Sequence, residues 1–135
     1  MSAAARQVLI LVGSESDRPK IEPALKVLDE AKVGYDFVVS SAHRDPDKTS
    51  ALVKGARGAG YRVLICGAGL AAALPGFAAS QTDLPVVGVP FDVGPLHGLD
   101  ALYAMVQLPS GVPVGTVGID NAKNAAHLAI RILRA

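Results

Sequence analysis

Three short segments carry side chains that could do chemistry. Ser41-Ala42-His43-Arg44 sets a titratable imidazole beside a permanent cation. Histidine, with an ordinary pKa of about 6.5, is the side chain best matched to proton transfer near neutral pH. Arginine presents paired donors that fit a phosphate. The plainer reading of the same pair is a solvated loop histidine next to a surface arginine. In Gly13-Ser14-Glu15-Ser16-Asp17, the glycine permits a sharp turn and Ser14 and Ser16 offer small hydroxyl donors. The open N–H groups of a helix starting near Arg18 would add the positive end of its dipole, although Pro19 contributes no donor. Asp17 would repel a phosphate laid directly against it but would accept sugar hydroxyls, so a phosphorylated ribose satisfies the whole segment. Simple helix capping by Ser16 or Asp17 is the competing explanation.

The third segment, Gly67-Ala68-Gly69-Leu70-Ala71-Ala72, fits the loose G-x-G-x-x-[GA] dinucleotide pattern, with Asp92 about where a ribose-binding acid would fall. It follows the third strand rather than the first, which weakens that reading. Tiny side chains would equally let the backbone approach a small planar ligand or another subunit, or let a strand and helix pack closely. The other candidates are plainer. His97 sits in a turn-rich stretch and His127 in a helix, neither with an acidic or cysteine partner at metal-ligand spacing, so no zinc site is expected. Cys66 ends an apolar run and reads as packed rather than nucleophilic. No nucleophile-elbow pattern is present.

These segments need elements to hold them. Val8 to Val12 is a continuous apolar run, as expected of a strand covered on both faces. Pro19 to Lys32 places Ile21, Leu25 and Leu28 at helical spacing. Tyr35 to Val39 is a second strand, and Asp45-Pro46 reads as an N-cap followed by a first-turn proline of a helix reaching about Ala56. Val63 to Cys66, Pro85 to Val89 and Val112 to Val117 supply three more strands, with helices at Leu74 to Ser80, Leu99 to Gln107 and Asn121 to Leu133. Strands alternating with helices in this way predict an α/β fold, a three-layer sandwich with a parallel sheet of about five strands. Ligands of such sheets bind beyond the carboxyl ends of the strands, where strand order reverses. The three segments above follow strands one, two and three, and that coincidence is the main functional signal.

Composition excludes several classes. The 135 residues suit one domain spanning 1–135, large enough for a core without metal or disulfide staples. Half the residues are apolar and 19% charged, which excludes a disordered chain. Thirteen basic against twelve acidic side chains argue against a nucleic-acid binder. One cysteine excludes an internal disulfide framework. At the start, Met1 to Gln7 is followed by only five strongly apolar residues, Val8 to Val12, a run too short for the apolar region of a secretory leader. Val63 to Thr82 lacks formal charge, but its glycines and Pro75 read as strand, glycine turn and helix rather than a membrane span. A soluble, cytoplasmic protein is expected.

Taken together, four motifs resemble the PurE family: Gly13-Ser14-Glu15-Ser16-Asp17, Ser41-Ala42-His43-Arg44, Gly67-Ala68-Gly69-Leu70-Ala71-Ala72 with Leu74-Pro75-Gly76, and Gln107-Leu108-Pro109-Ser110-Gly111-Val112-Pro113-Val114. The similarity runs over nearly the whole chain in order, and Gly98-Leu99-Asp100-Ala101-Leu102 is closest to the archaeal-type branch. Members are N5-carboxyaminoimidazole ribonucleotide mutases, or the related aminoimidazole ribonucleotide carboxylases, of purine synthesis. The resemblance implies a flavodoxin-like fold, a homo-octamer with active sites at subunit junctions, and no metal or organic cofactor. By matching position, Ser14, Ser16, Ser41 and Arg44 would hold the 5′-phosphate, Asp17 the ribose hydroxyls, and His43 would shuttle the proton. Gly13, Ala68, Gly69, Leu70, Ala73 and Leu74 complete the implied substrate contacts, with the third loop giving backbone donors and a close wall. One departure stands out: the family's Ala-Ala-His-Leu-Pro-Gly is here Ala71-Ala72-Ala73-Leu74-Pro75-Gly76, so Ala73 replaces an active-site histidine. The chain also ends at Ala135, without the C-terminal extension that packs on a neighbour in many bacterial members.

The expectations rank accordingly. A mutase moving the carboxyl group from N5 to ring carbon C4 comes first. Direct CO2-dependent carboxylation, or a related reaction on another heterocycle, is the close rival raised by Ala73. A non-catalytic nucleotide-binding relative follows, and a dinucleotide-dependent oxidoreductase, resting on the glycine segment alone, comes last.

Overall fold

The computed structural model describes residues 5–135; residues 1–4, the start of the segment weighed above as a leader, lie outside the described residues. The first strand, β1 (Arg6–Val12), alternates its side chains between two faces, and Val8 to Val12 are all buried on both. A 3₁₀ turn, Glu15–Asp17, leads into α1 (Arg18–Glu30), where Pro19 occupies the first turn and needs no donor. β2 (Gly34–Val39), α2 (Pro46–Lys54), β3 (Val63–Gly69), α3 (Leu74–Ala79), β4 (Val86–Phe91), α4 (Leu99–Val106), β5 (Gly115–Thr116) and α5 (Ala122–Arg134) follow. Asp45 caps α2 by accepting the Lys48 N–H, and Asn121 caps α5 by accepting that of Asn124.

All strand pairings are parallel, in the order β2-β1-β3-β4-β5. This is the flavodoxin-like order, with its switch point between β1 and β3. Val8, Ile10, Val12 and Ile65 pack against α1 and α5 on one face. Leu9, Leu11, Leu64 and Cys66 pack with residues of α2 and α3 on the other, completing three layers. α4 adds a small cluster of Ala72, Ala101 and Met105. The register sets the site: Val12 pairs with Val39 on one side and with Gly67 on the other. The three strand ends therefore lie side by side, with β3 running two residues past the level at which β1 and β2 leave the sheet.

Two boundaries differ from the sequence reading. The fifth strand is two residues long rather than Val112 to Val117. Val112 donates back to the Pro109 carbonyl, Gly111 has φ +93°, and Pro113 has no N–H, so the segment turns before it can pair. The expected glycine turn after Cys66 is not a turn. β3 runs straight through Gly67, Ala68 and Gly69, which pair with Val89, Pro90 and Phe91. Among the described residues no helix is long and apolar enough to cross a membrane.

Candidate active site

A cleft of about 410 Å³ opens at the switch point, lined by Gly13, Ser14 and Asp17 from the first loop, Ser41 to Arg44 from the second, and Ala68 to Leu74 from the third. Of the residues to which the family resemblance gave a substrate contact or the proton shuttle, Ser16 alone stays off the lining. Its hydroxyl lies 2.9 Å from that of Ser14, and its N–H donates to Ser14 Oγ at 3.3 Å. Ser16 therefore orients Ser14, which itself caps the 3₁₀ turn.

The capping explanation for Asp17 fails on the geometry. Asp17 stands at the N-cap position of α1 in helical backbone conformation and makes no side-chain cap bond. The other carboxylate of the loop is committed elsewhere: Glu15 accepts both Nε and Nη2 of Arg18, at 2.9 and 3.1 Å, and its pKa is held down chiefly by that hydrogen bond. Arg18 also lies over the Phe37 ring, 4.6 Å from its centre. Asp17 is left as the carboxylate facing the cleft. Burial raises its pKa, partly offset by Lys20 and by the Ser14 backbone N–H.

The second loop is held from beneath. Ser41 Oγ accepts the Arg44 N–H at 3.1 Å, which leaves its proton available to a ligand. Thr49 on α2, fully buried, shares its hydroxyl between the Ser41 and Asp45 carbonyls, both at 3.0 Å, and meets Ser40 Oγ at 2.6 Å. These interactions project His43 and Arg44 outward, where both are exposed. Among the described residues no carboxylate pairs with the Arg44 guanidinium. Sequence reasoning missed Thr49, whose signal was a hydroxyl on the inward face of α2, one turn before Val53.

In the third segment the glycines answer to packing. A Cβ on Gly67 would meet the Phe91 ring at 2.3 Å, and one on Gly69 would meet Val93 at 2.8 Å. Beyond them Leu70 takes a left-handed φ of 54°, uncommon for a branched side chain, and its exposed side chain packs at Gly94. The dinucleotide reading is overturned here. Its glycines lie inside a strand, and the six-residue helix that follows carries a proline in its first turn. Asp92 turns to His97 instead, Oδ1 to Nδ1 at 3.5 Å. That contact gives His97 the acidic partner the sequence did not reveal. No group of three or more His, Cys, Asp or Glu side chains among the described residues could hold a metal ion. Cys66 is fully buried, and burial pushes its thiol up to about 12.

The AIR carboxylase family model matches residues 7–135. The chain belongs to this family. Within it, the N5-carboxyaminoimidazole ribonucleotide mutase of Pyrococcus horikoshii is 52% identical over 124 residues, 92% of this chain and 70% of that protein. The phosphoribosylaminoimidazole carboxylase of Schizosaccharomyces pombe is 50% identical over 124 residues, 92% of this chain but only 22% of that longer protein. The crystal structure of Treponema denticola PurE matches with a TM-score of 0.81 at 28% identity, covering 96% of this chain and 80% of that one. The PurE resemblance read from the four motifs is thus a family membership, with an archaeal mutase among its relatives.

Proposed function

We propose that this chain is an N5-carboxyaminoimidazole ribonucleotide mutase of purine biosynthesis, acting as one catalytic domain over residues 1–135. The observation that carries the reading is that His43, Arg44, Ser41, Ser14 and Asp17 line one cleft in a chain half identical to a mutase over nine-tenths of its length. Arg44, with the hydroxyls of Ser14 and Ser41, holds the 5′-phosphate, Ser16 acting through Ser14. Asp17 accepts the ribose hydroxyls, and the backbone from Ala68 to Leu74 forms the wall against the heterocycle.

His43 performs the chemistry. As an acid it protonates the exocyclic nitrogen, the N–C bond to the carboxylate breaks, and CO2 is released within the cleft. The electron pair of the ring enamine then forms the new bond from C4 to CO2. The neutral imidazole takes the C4 proton, which returns His43 to its starting state. One residue can give the first proton and take the second, because the exocyclic nitrogen is carried by the ring carbon next to C4. Among the described residues no other imidazole lines the cleft, since Ala73 stands where the family's histidine is expected.

Direct carboxylation by CO2 is the second reading, favoured by Ala73 and by the 50% identity to a carboxylase. The homo-octamer implied by the family is supported by an apolar stripe on α4: Leu99, Tyr103 and Val106, one turn apart, are 46, 57 and 50% exposed, with Leu96 beside them. A cytoplasmic location agrees with one buried free thiol and no second cysteine. The test supplies N5-carboxyaminoimidazole ribonucleotide, or aminoimidazole ribonucleotide with bicarbonate, to the natural chain and to Ala73→His. The expected outcome is C4-carboxylated product from the first substrate with the natural chain, formed faster by the variant. Product from the second substrate alone would replace the mutase by the carboxylase, and no product from either, with the ligands still bound, would leave a binding protein.

A further inference from the structure

Asp120 lies in the turn between β5 and α5 with φ +57°, a left-handed conformation that Asp and Asn tolerate better than most side chains. Its N–H donates to the Pro90 carbonyl at 2.8 Å, which fixes the turn against the exit of β4. The carboxylate does not cap α5, since Asn121 does that. It is divided between two other segments instead. Oδ1 accepts the Asp92 N–H at 2.9 Å, and Oδ2 accepts Lys20 Nζ at 3.0 Å.

Lys20 is in the first turn of α1, three residues after Asp17, and its charge is the largest influence favouring ionisation of the Asp17 carboxylate. A lysine ammonium is a mobile point charge with three donors on a flexible stem. Without a fixed partner it would turn to the nearest carboxylate and occupy the lone pairs a sugar hydroxyl needs. Among the described residues its ion-pair partner is Asp120, from a segment 100 residues away, and not Asp17.

We infer that Asp120 is a positioning residue for the nucleotide cleft: by holding Lys20 to the side it keeps the Asp17 carboxylate open to the ribose hydroxyls. The inference rests on the proposed reading for its ligand, an aminoimidazole ribonucleotide, and Asp120 itself touches no substrate.

The test is calorimetric binding of aminoimidazole ribonucleotide and of its 2′,3′-dideoxy analogue to the full chain, Asp120→Asn, Lys20→Met and the double variant. Asn keeps the acceptor for Asp92 and tolerates the backbone conformation, so the fold survives. Asp120→Asn should weaken the ribonucleotide roughly two- to five-fold, the range of an exposed ion pair, and leave the dideoxy analogue unchanged. Adding Lys20→Met should restore the lost affinity, because no ammonium remains to cover Asp17. A purely structural role would weaken both ligands and would not be rescued, and either result overturns the inference. So does a natural chain that binds the two ligands alike. Rescue in the double variant, together with a natural chain that shows no turnover, would end the mutase reading and uphold this one, whereas binding of neither ligand ends both.

Discussion

The Phe91 ring fills the space that a side chain at Gly67 would need, with Cζ 2.3 Å from where that Cβ would stand. Both residues are buried, in adjacent strands just below the cleft. Gly67→Ala should therefore destabilise the protein by about 1–3 kcal/mol, the range for overpacking a core. Urea unfolding would measure it, and adding Phe91→Leu should recover part of the loss. An unchanged midpoint in Gly67→Ala would mean the glycine serves something other than packing.

Asp17 should trade stability for function. Burial raises its carboxyl above the ordinary 3.8, so its contribution to stability is complete below that pH and is lost as pH rises through the raised value. Asp17→Asn carries no charge to desolvate. It should melt higher than the natural chain near neutral pH, with the difference closing towards pH 4. Its KM for the ribonucleotide should rise about tenfold, as for loss of a hydrogen bond to a charged acceptor. A variant that melts lower and binds normally contradicts both parts.

His43→Asn should separate chemistry from binding. With Ser14, Ser41 and Arg44 intact, affinity for aminoimidazole ribonucleotide should stay within about twofold while turnover falls roughly 10²–10⁴-fold, the usual contribution of a general acid–base. Equal losses in Kd and kcat would assign His43 to binding.

The α4 stripe should govern assembly. Tyr103→Lys with Val106→Glu places charge on exposed positions that carry no core contact, so far-UV circular dichroism should be unchanged. Light scattering should show a smaller species than the natural chain. An unchanged mass would exclude this face from the subunit contacts.

Cys66 should be silent in the folded protein. A fully buried thiol with its pKa pushed up to about 12 offers almost no thiolate near neutral pH. A colourimetric thiol reagent should label it only on unfolding, at the rate the chain opens. Prompt labelling of the native protein would mean the β3 end of the core is loose.

Local chemistry was enough to determine much of this protein. The apolar run Val8 to Val12 can be covered only on two faces, Asp45-Pro46 can only begin a helix, and alternating strands and helices force a parallel sheet whose strand ends carry the polar loops. The four motifs, read in order, named the family from sequence alone. Other features depended on which distant side chains met, and no periodicity records that. Gly67 and Gly69 are glycines because Phe91 and Val93, at the end of the next strand and just past it, stand over them. Ser41 is held by Thr49, and Lys20 is drawn aside by Asp120 across 100 residues. Each of these is a contact set by strand register and helix placement, so only the folded chain could show that Asp17 is the carboxylate left open to the cleft.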